Sequence, residues 1–256
     1  MRTDGKRLDI LYVDDEHFMH EPFRMMMEAI AGASVESAST GDEAMKALAS
    51  KKYDAIVSDY QMPGMNGIEL LKNVRSRGAD VPFILFTGRG REEVAIDAIN
   101  NGADYYLQKG MDPISQFTEL THMIHRAVEE RRERENLRVT SQRLEALVNN
   151  MHDAVALFDL ELKVLFVNPA FEDILGWSRE EITGMTAPWV PEEELEMTRR
   201  RIREIASSGR PIHYMGTRRS KDGRMIDFHI SMAPITDPDG KVKTISAIGT
   251  IIGLKK

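Results

Sequence analysis

Residues 8–16 read Leu-Asp-Ile-Leu-Tyr-Val-Asp-Asp-Glu. A nearly unbroken apolar run stops abruptly at three acids. Short apolar runs of this kind mark strands buried on both faces, as in a parallel sheet. Four further runs follow at Ser34–Ala38, Ala55–Ser58, Phe83–Thr87 and Asp104–Gln108. Helical patterns lie between them near 17–31, 42–51, 66–77 and 91–100. Five βα repeats predict a doubly wound, five-stranded parallel sheet with right-handed crossovers, the flavodoxin-like α/β class.

In such a sheet, ligands bind beyond the carboxyl ends of the strands. The first strand ends in Asp14 and Asp15, the third in Asp59, the fourth in Thr87 and the fifth in Lys109. Taken singly, each residue has an ordinary reading. An Asp after a strand caps a helix, a Thr before Gly makes a turn, and a Lys is solvated. Together they bring carboxylates, a hydroxyl and an ammonium to one rim. Crowded carboxylates repel unless a cation sits among them. A few hard oxygen ligands suit Mg²⁺, which keeps several waters and also takes phosphate oxygens. A carboxylate nucleophile, a neutralising metal and placed donors are the parts of a phosphoryl-transfer site.

The same residues carry a family resemblance. Leu-Tyr-Val-Asp-Asp-Glu at 11–16, Ser-Asp-Tyr-Gln-Met-Pro-Gly-Met-Asn-Gly at 58–67, Phe-Thr-Gly at 86–88 and Asn-Gly-Ala-Asp-Tyr-Tyr-Leu-Gln-Lys at 101–109 closely resemble response-regulator receiver domains of the chemotaxis type. The resemblance spans residues 8–128. It implies that Asp59 is the phospho-acceptor and that a cognate histidine kinase is the donor. It implies Asp15, Asp59 and the Gln61 backbone carbonyl as direct Mg²⁺ ligands, with Asp14 acting through water. Thr87 and Lys109 would bind the phosphoryl oxygens, and Tyr106 would be the aromatic switch. Gln61 and Arg89 stand where the family tunes dephosphorylation. The family usually has Pro after the lysine, often with a cis bond; here Gly110 follows.

The 256 residues allow one or two domains. There is no cysteine, so disulfides, thiolate metal sites and thiol-linked cofactors are excluded. The net charge of −7 is uneven. Residues 1–128 carry 14 basic and 20 acidic groups, and the rest carry 20 and 21. Nothing suggests a basic nucleic-acid domain. No apolar run is long enough for a membrane span, and the first residues lack a signal-peptide core. The expectation is a cytoplasmic protein without membrane or nucleic-acid contacts.

Residues 114–152 contain neither Gly nor Pro. Ile124, Val128, Leu144, Leu147 and Met151 mark apolar faces at the two ends, and 129–135 are charged all round. The stretch reads as a solvated linker helix laced with i,i+4 pairs, or as a coiled-coil helix that pairs two chains. The expected division is 1–128, a linker at 129–150, and 151–256.

Beyond 153 the texture is short β segments at 154–158 and 163–167, a helical block at 169–208, and β runs at 212–219, 225–235 and 242–251. Lys221-Asp-Gly223 and Asp237-Pro-Asp-Gly240 are turn signals. This predicts an α+β domain with an antiparallel sheet. Asp153-Ala-Val-Ala-Leu-Phe-Asp159, Val167-Asn-Pro-Ala-Phe171, Ile174-Leu-Gly-Trp177, Glu180-Glu-Ile-Thr-Gly184 and Lys221-Asp-Gly223 resemble PAS domains. Such domains sense ligands, hold cofactors or mediate dimerisation, so a homodimer through the linker or this domain is open. The lack of Cys removes a flavin photoadduct. Haem-binding relatives use a His on the helix before the long strands, and 192–208 has none. His213 and His229 read as strand residues. Phe158, Phe166, Phe171, Trp177 and Trp189 read as core that could also line a pocket. The ligand is left unknown.

Three other functions fit less well. An aspartyl-phosphate hydrolase needs an acid two residues after its nucleophile, where Gln61 stands. A histidine kinase needs a Gly-rich ATP domain, absent from the residues up to Lys256, and His122 and His125 lack a kinase setting. A DNA-binding regulator needs a recognition helix, and neither half supplies one.

Overall fold

The structure is a computed structural model that describes residues 7–88, 92–110 and 112–255. It divides into two compact units, Met1–Arg138 and Val139–Lys256. Arg89 lies outside the described residues.

In the first unit, β1 (Asp9–Val13), β2 (Ser34–Ala38), β3 (Ala55–Ser58), β4 (Phe83–Thr87) and β5 (Tyr105–Gln108) form one parallel sheet in the order β2-β1-β3-β4-β5. The central strands are buried throughout, which is why they lack a polar alternation. Leu11, Val13, Ile56, Phe83 and Leu85 enter one core with α2 (Gly41–Ser50), α3 (Gly67–Ser76) and α4 (Glu92–Asn100). Ile10, Tyr12, Val57, Ile84 and Phe86 enter the other, with α1 (His17–Ala31) and the start of α5 (Pro113–Asn149). The side-chain period of two sends neighbouring residues to opposite faces. The reversal of strand order between β1 and β3 opens the crevice at their carboxyl ends.

Helix α5 docks by Phe117, Leu120, Ile124 and Val128, spaced for one helical face. An ion pair from Arg132 to Asp54 at 3.4 Å follows. The charged middle carries Arg126–Glu130 and Glu135–Arg138 pairs on the helix surface. Leu137, Leu144 and Leu147 are exposed.

In the second unit, β6 (Ala154–Asp159), β7 (Val164–Val167), β8 (Ile212–Arg219), β9 (Met225–Thr236) and β10 (Val242–Lys255) form an antiparallel sheet in the order β7-β6-β10-β9-β8. The helical block resolves into α6 (Pro169–Leu175), α7 (Arg179–Ile182) and α8 (Glu192–Ser208). Left-handed Gly176 closes α6, and Pro191 precedes α8.

Asn168 ties this unit together. It is fully buried. Its Oδ1 accepts from Val155 N–H at 2.9 Å and from Phe171 N–H at 3.0 Å, the latter capping α6. Its Nδ2 donates to the carbonyls of Val148 and Asp153, both at 3.1 Å. Asn168→Ala removes a partner from the Val155 and Phe171 N–H groups and from the Asp153 carbonyl, while the Val148 carbonyl keeps the Met151 N–H. Its expected cost is about 2–4 kcal/mol, read as a lowered melting transition of this domain.

Candidate functional site

Backbone hydrogen bonds carry the parallel pairing one residue past the strands. Asp14 N–H donates to Ala38 at 3.0 Å, Asp59 N–H to Val13 at 2.7 Å and Lys109 N–H to Thr87 at 2.7 Å. The sheet therefore sets where the three side chains begin. They meet. Lys109 Nζ lies 2.7 Å from Asp14 Oδ2 and 2.9 Å from Asp59 Oδ1. Asp59 Oδ2 accepts from the Gln61 N–H at 2.6 Å. Asp14 and Thr87 are buried, and Asp15 is half-buried beside them. Tyr106 is half-buried against the α2–α3–α4 core, and its hydroxyl is buried.

Gly110 shows why Pro is absent. Its φ is +127°, which proline's ring cannot adopt, and every described peptide bond is trans. With this loop, Lys109 still reaches both carboxylates.

Burial pushes the Asp59 carboxyl above its ordinary range, outweighing the pull of Lys109 and of the Gln61 N–H. Burial alone would lower Lys109, but its hydrogen bond to Asp14 and the Asp59 and Asp14 charges raise it instead. The raised Asp59 value has a stability consequence. The folded state binds this proton more tightly than the unfolded chain, so the ionised group costs stability above its folded pKa, and that cost fades as pH falls. Asp59→Asn is expected to raise the melting temperature of the first unit at pH 7, with the gain shrinking on acidification. Melting curves from pH 7 to pH 4 check this.

Two residues at this site escaped sequence reasoning. Tyr12 is fully buried, and its hydroxyl donates to Asp14 Oδ2 at 2.5 Å. Its ring stacks on Phe23 at 3.7 Å between centroids. Burial, and then the Asp14 charge, push its phenol far above the usual range. His20 Nε2 donates to the Asp14 carbonyl at 2.6 Å. Tyr12 reads as one more apolar strand position, and only the strand's packing gives its hydroxyl a target.

The donors available to a cation are the carboxylates of Asp14, Asp15 and Asp59 and the Gln61 carbonyl. All are oxygens, which suits a hard divalent ion. Among the described residues no three Asp, Glu or His side chains enclose a metal by themselves.

In the second unit, Phe158, Phe171 and Trp189 are buried core residues, as read from sequence. Phe166 and Trp177 are half-buried beneath Arg179 and Lys221. His213 and His229 stack at 6.3 Å on the exposed sheet face.

No helix among the described residues is long and apolar enough to cross a membrane. Residues 10–124 match the response regulator receiver domain family, and residues 142–252 match the PAS fold family. The chain is 38% identical over 100 residues to response regulator MprA of Mycolicibacterium vanbaalenii, covering 39% of this chain and 43% of that protein. The MprA protein of Mycobacterium avium matches to the same extent. The chain thus spans less than half the length of these relatives. Among solved structures, the Francisella response regulator 1452 receiver domain is 27% identical, with a TM-score of 0.44, covering 48% of this chain and 98% of that one. The PAS domain of an HTR-like protein from Haloarcula marismortui is 23% identical, with a TM-score of 0.43, covering 48% and 99%. The chain carries a response regulator receiver domain at 10–124 followed by a PAS domain at 142–252.

Proposed function

We propose that Asp59 accepts a phosphoryl group from a histidine kinase. The N–P bond of the kinase phosphohistidine breaks as a carboxylate oxygen of Asp59 bonds to phosphorus, giving an acyl phosphate that water slowly hydrolyses. What supports the reading is the meeting of Lys109 Nζ with Asp14 and Asp59 at one buried rim. Lys109 starts on Asp59 and follows the charge to the phosphoryl oxygens. The Thr87 hydroxyl supplies a donor, and the Gln61 N–H holds Asp59 in place. Asp14, Asp15, Asp59 and the Gln61 carbonyl would hold Mg²⁺, which when bound neutralises charge on the transferring group.

Tyr106 answers movement of Thr87, and α5 carries the change to or from the PAS domain. The unbroken run of α5 from Pro113 to Asn149 supports that route. Exposed Leu137, Leu144 and Leu147 support pairing of two chains along it. We place the receiver at 1–128, the linker at 129–150 and the PAS domain at 151–256, in a cytoplasmic protein without nucleic-acid partners. Beryllofluoride with Mg²⁺ is expected to shift the Tyr106 ring and α5 amide resonances. Shifts confined to the strand rim would count against the α5 route, and unchanged spectra would count against the site.

A further inference from the structure

Opposite the Asp59 rim, where β3 and β4 begin, the first unit holds a cleft of about 600 Å³. That volume lies within the roughly 300–1,000 Å³ of sites for drug-sized ligands. One wall is the body of the unit, which brings Lys51 and Lys52 from the turn after α2 and Arg77 from the end of α3. The other wall is α5, which brings Arg131, Arg134 and Arg138. Their spacing puts the three arginines on one helical face. Met45, Leu48 and Val74 give the cleft an apolar lining between the two walls.

A helix face turned toward its own protein is ordinarily apolar, as α5 is at Phe117, Leu120, Ile124 and Val128. Val128 is the last buried residue of α5, and beyond it the inward face is cationic. General composition does not account for this, because residues 1–128 carry more acidic groups than basic ones. Ion pairs absorb only part of the charge. Lys51 meets Asp9 at 3.0 Å, and Arg138 meets Glu135 at 2.7 Å. Lys52, Arg77, Arg131 and Arg134 make no ion pair among the described residues, and Asp80 is the one unpaired acid on the lining. Like charges on facing walls repel, and a cleft lined by one sign focuses its field on an anion.

We propose that this cleft binds a nucleoside polyphosphate, with the phosphate chain between the two walls and the nucleoside against the apolar lining. Charge sets the phosphates. Four unpaired cations against one unpaired acid leave a surplus of three positive charges, and a triphosphate chain carries about three to four negative ones near neutral pH. Guanidinium forks match phosphate oxygens in pairs. Size and the apolar lining set the organic part. A ligand held by both walls also fastens 131–138 of α5 to the body of the unit. The proposal does not rest on phospho-acceptance at Asp59.

The test is calorimetric titration of the full chain with ATP, GTP, UTP, adenosine, tripolyphosphate and hexaglutamate at constant ionic strength. EDTA keeps Mg²⁺ from the Asp59 rim, so the two sites are read apart. At least one nucleotide is expected to saturate with a Kd at or below roughly 0.1 mM. Adenosine and tripolyphosphate each lack one half of the ligand and are expected to bind at least about tenfold more weakly. Bound nucleotide is expected to slow amide exchange across 131–138 by about threefold or more. Arg77→Gln and Arg134→Gln take one exposed cation from each wall. Each is expected to weaken binding at least about fivefold with the melting temperature unchanged or higher, because a repulsive charge is lost. Lys241→Gln, in the second unit, is expected to bind as wild type does. No saturable nucleotide binding overturns the proposal. So does tripolyphosphate or hexaglutamate binding as tightly as the nucleotide, which would mean a surface for any polyanion or for an acidic protein segment. Wild-type affinity in both arginine variants overturns it as well.

Discussion

Lys109→Met is expected to cost the receiver domain about 3–5 kcal/mol at pH 7. The ammonium stands between Asp14 Oδ2 at 2.7 Å and Asp59 Oδ1 at 2.9 Å, and the two carboxylate side chains are 0% and 11% exposed. Met fills much of the same space but carries no charge. Two ionised groups are then left facing each other away from water. The sign of the pH response follows from Asp59. Its carboxyl already sits above the ordinary range through burial, and loss of Lys109 removes an interaction that lowers it. The folded state therefore takes up a proton more readily still. The destabilisation is full at neutral pH and narrows as pH falls through the raised value. Urea unfolding of the receiver transition at pH 7 and pH 5 measures both figures. Phosphoryl uptake from acetyl phosphate is expected to fall about 10²–10³-fold, the loss typical of removing one preorganised charge-stabilising donor. A variant that unfolds like wild type at pH 7 would mean that Lys109 is solvated and unpaired.

Gly67→Ala strikes the same site from beneath. Gly67 opens α3, capped by the Asn66–Glu69 box. A Cβ at Gly67 would lie 2.2 Å from the Asp59 carbonyl oxygen and 2.8 Å from Leu85 Cδ1. Neither distance is tolerable. Leu85 is in the packed core, and the Asp59 carbonyl accepts from Ser58 Oγ at 2.8 Å. Replacing a helical Gly by Ala gains at most about 1 kcal/mol. Overpacking costs about 1–3 kcal/mol, and backbone against backbone belongs at the upper end. A net loss of about 2 kcal/mol is expected. The Asp59 segment must also move away from α3. A displacement near 1 Å at a reacting group costs on the order of 10²-fold in rate. Thermal unfolding and the rate of phosphoryl uptake should therefore fall together. Unchanged values for both would show that α3 yields without disturbing Asp59.

The strand rim was legible because its residues stand at the ends of apolar runs. Asp14, Asp59 and Lys109 each follow a strand that burial makes visible, and parallel pairing brings those ends to one side. The α5 helix was legible from its lack of Gly and Pro, although it ends at Asn149 rather than near 152. The split of the 169–208 block was missed, even though Gly176 and Pro191 stood in the sequence as stop and start signals. Tyr12, His20 and Asn168 were not legible as working residues. Asn-Pro at 168–169 suggests a cap, but the bonds from Asn168 to Val148 and Val155 come from packing distant segments. Arg218 is a similar case. Strand alternation places it inward, where an arginine is least expected, and its ion pair with Glu194 together with the room left by Gly216 makes that position tenable.

The most direct test of phospho-acceptance at Asp59 is the intact mass of the full chain after acetyl phosphate and Mg²⁺, for wild type and Asp59→Asn side by side. Wild type is expected to gain one phosphoryl group, labile in hydroxylamine as an acyl phosphate should be, and Asp59→Asn to gain none. A wild-type chain that stays unmodified, or an Asp59→Asn chain that gains the same hydroxylamine-labile group, would contradict the assignment.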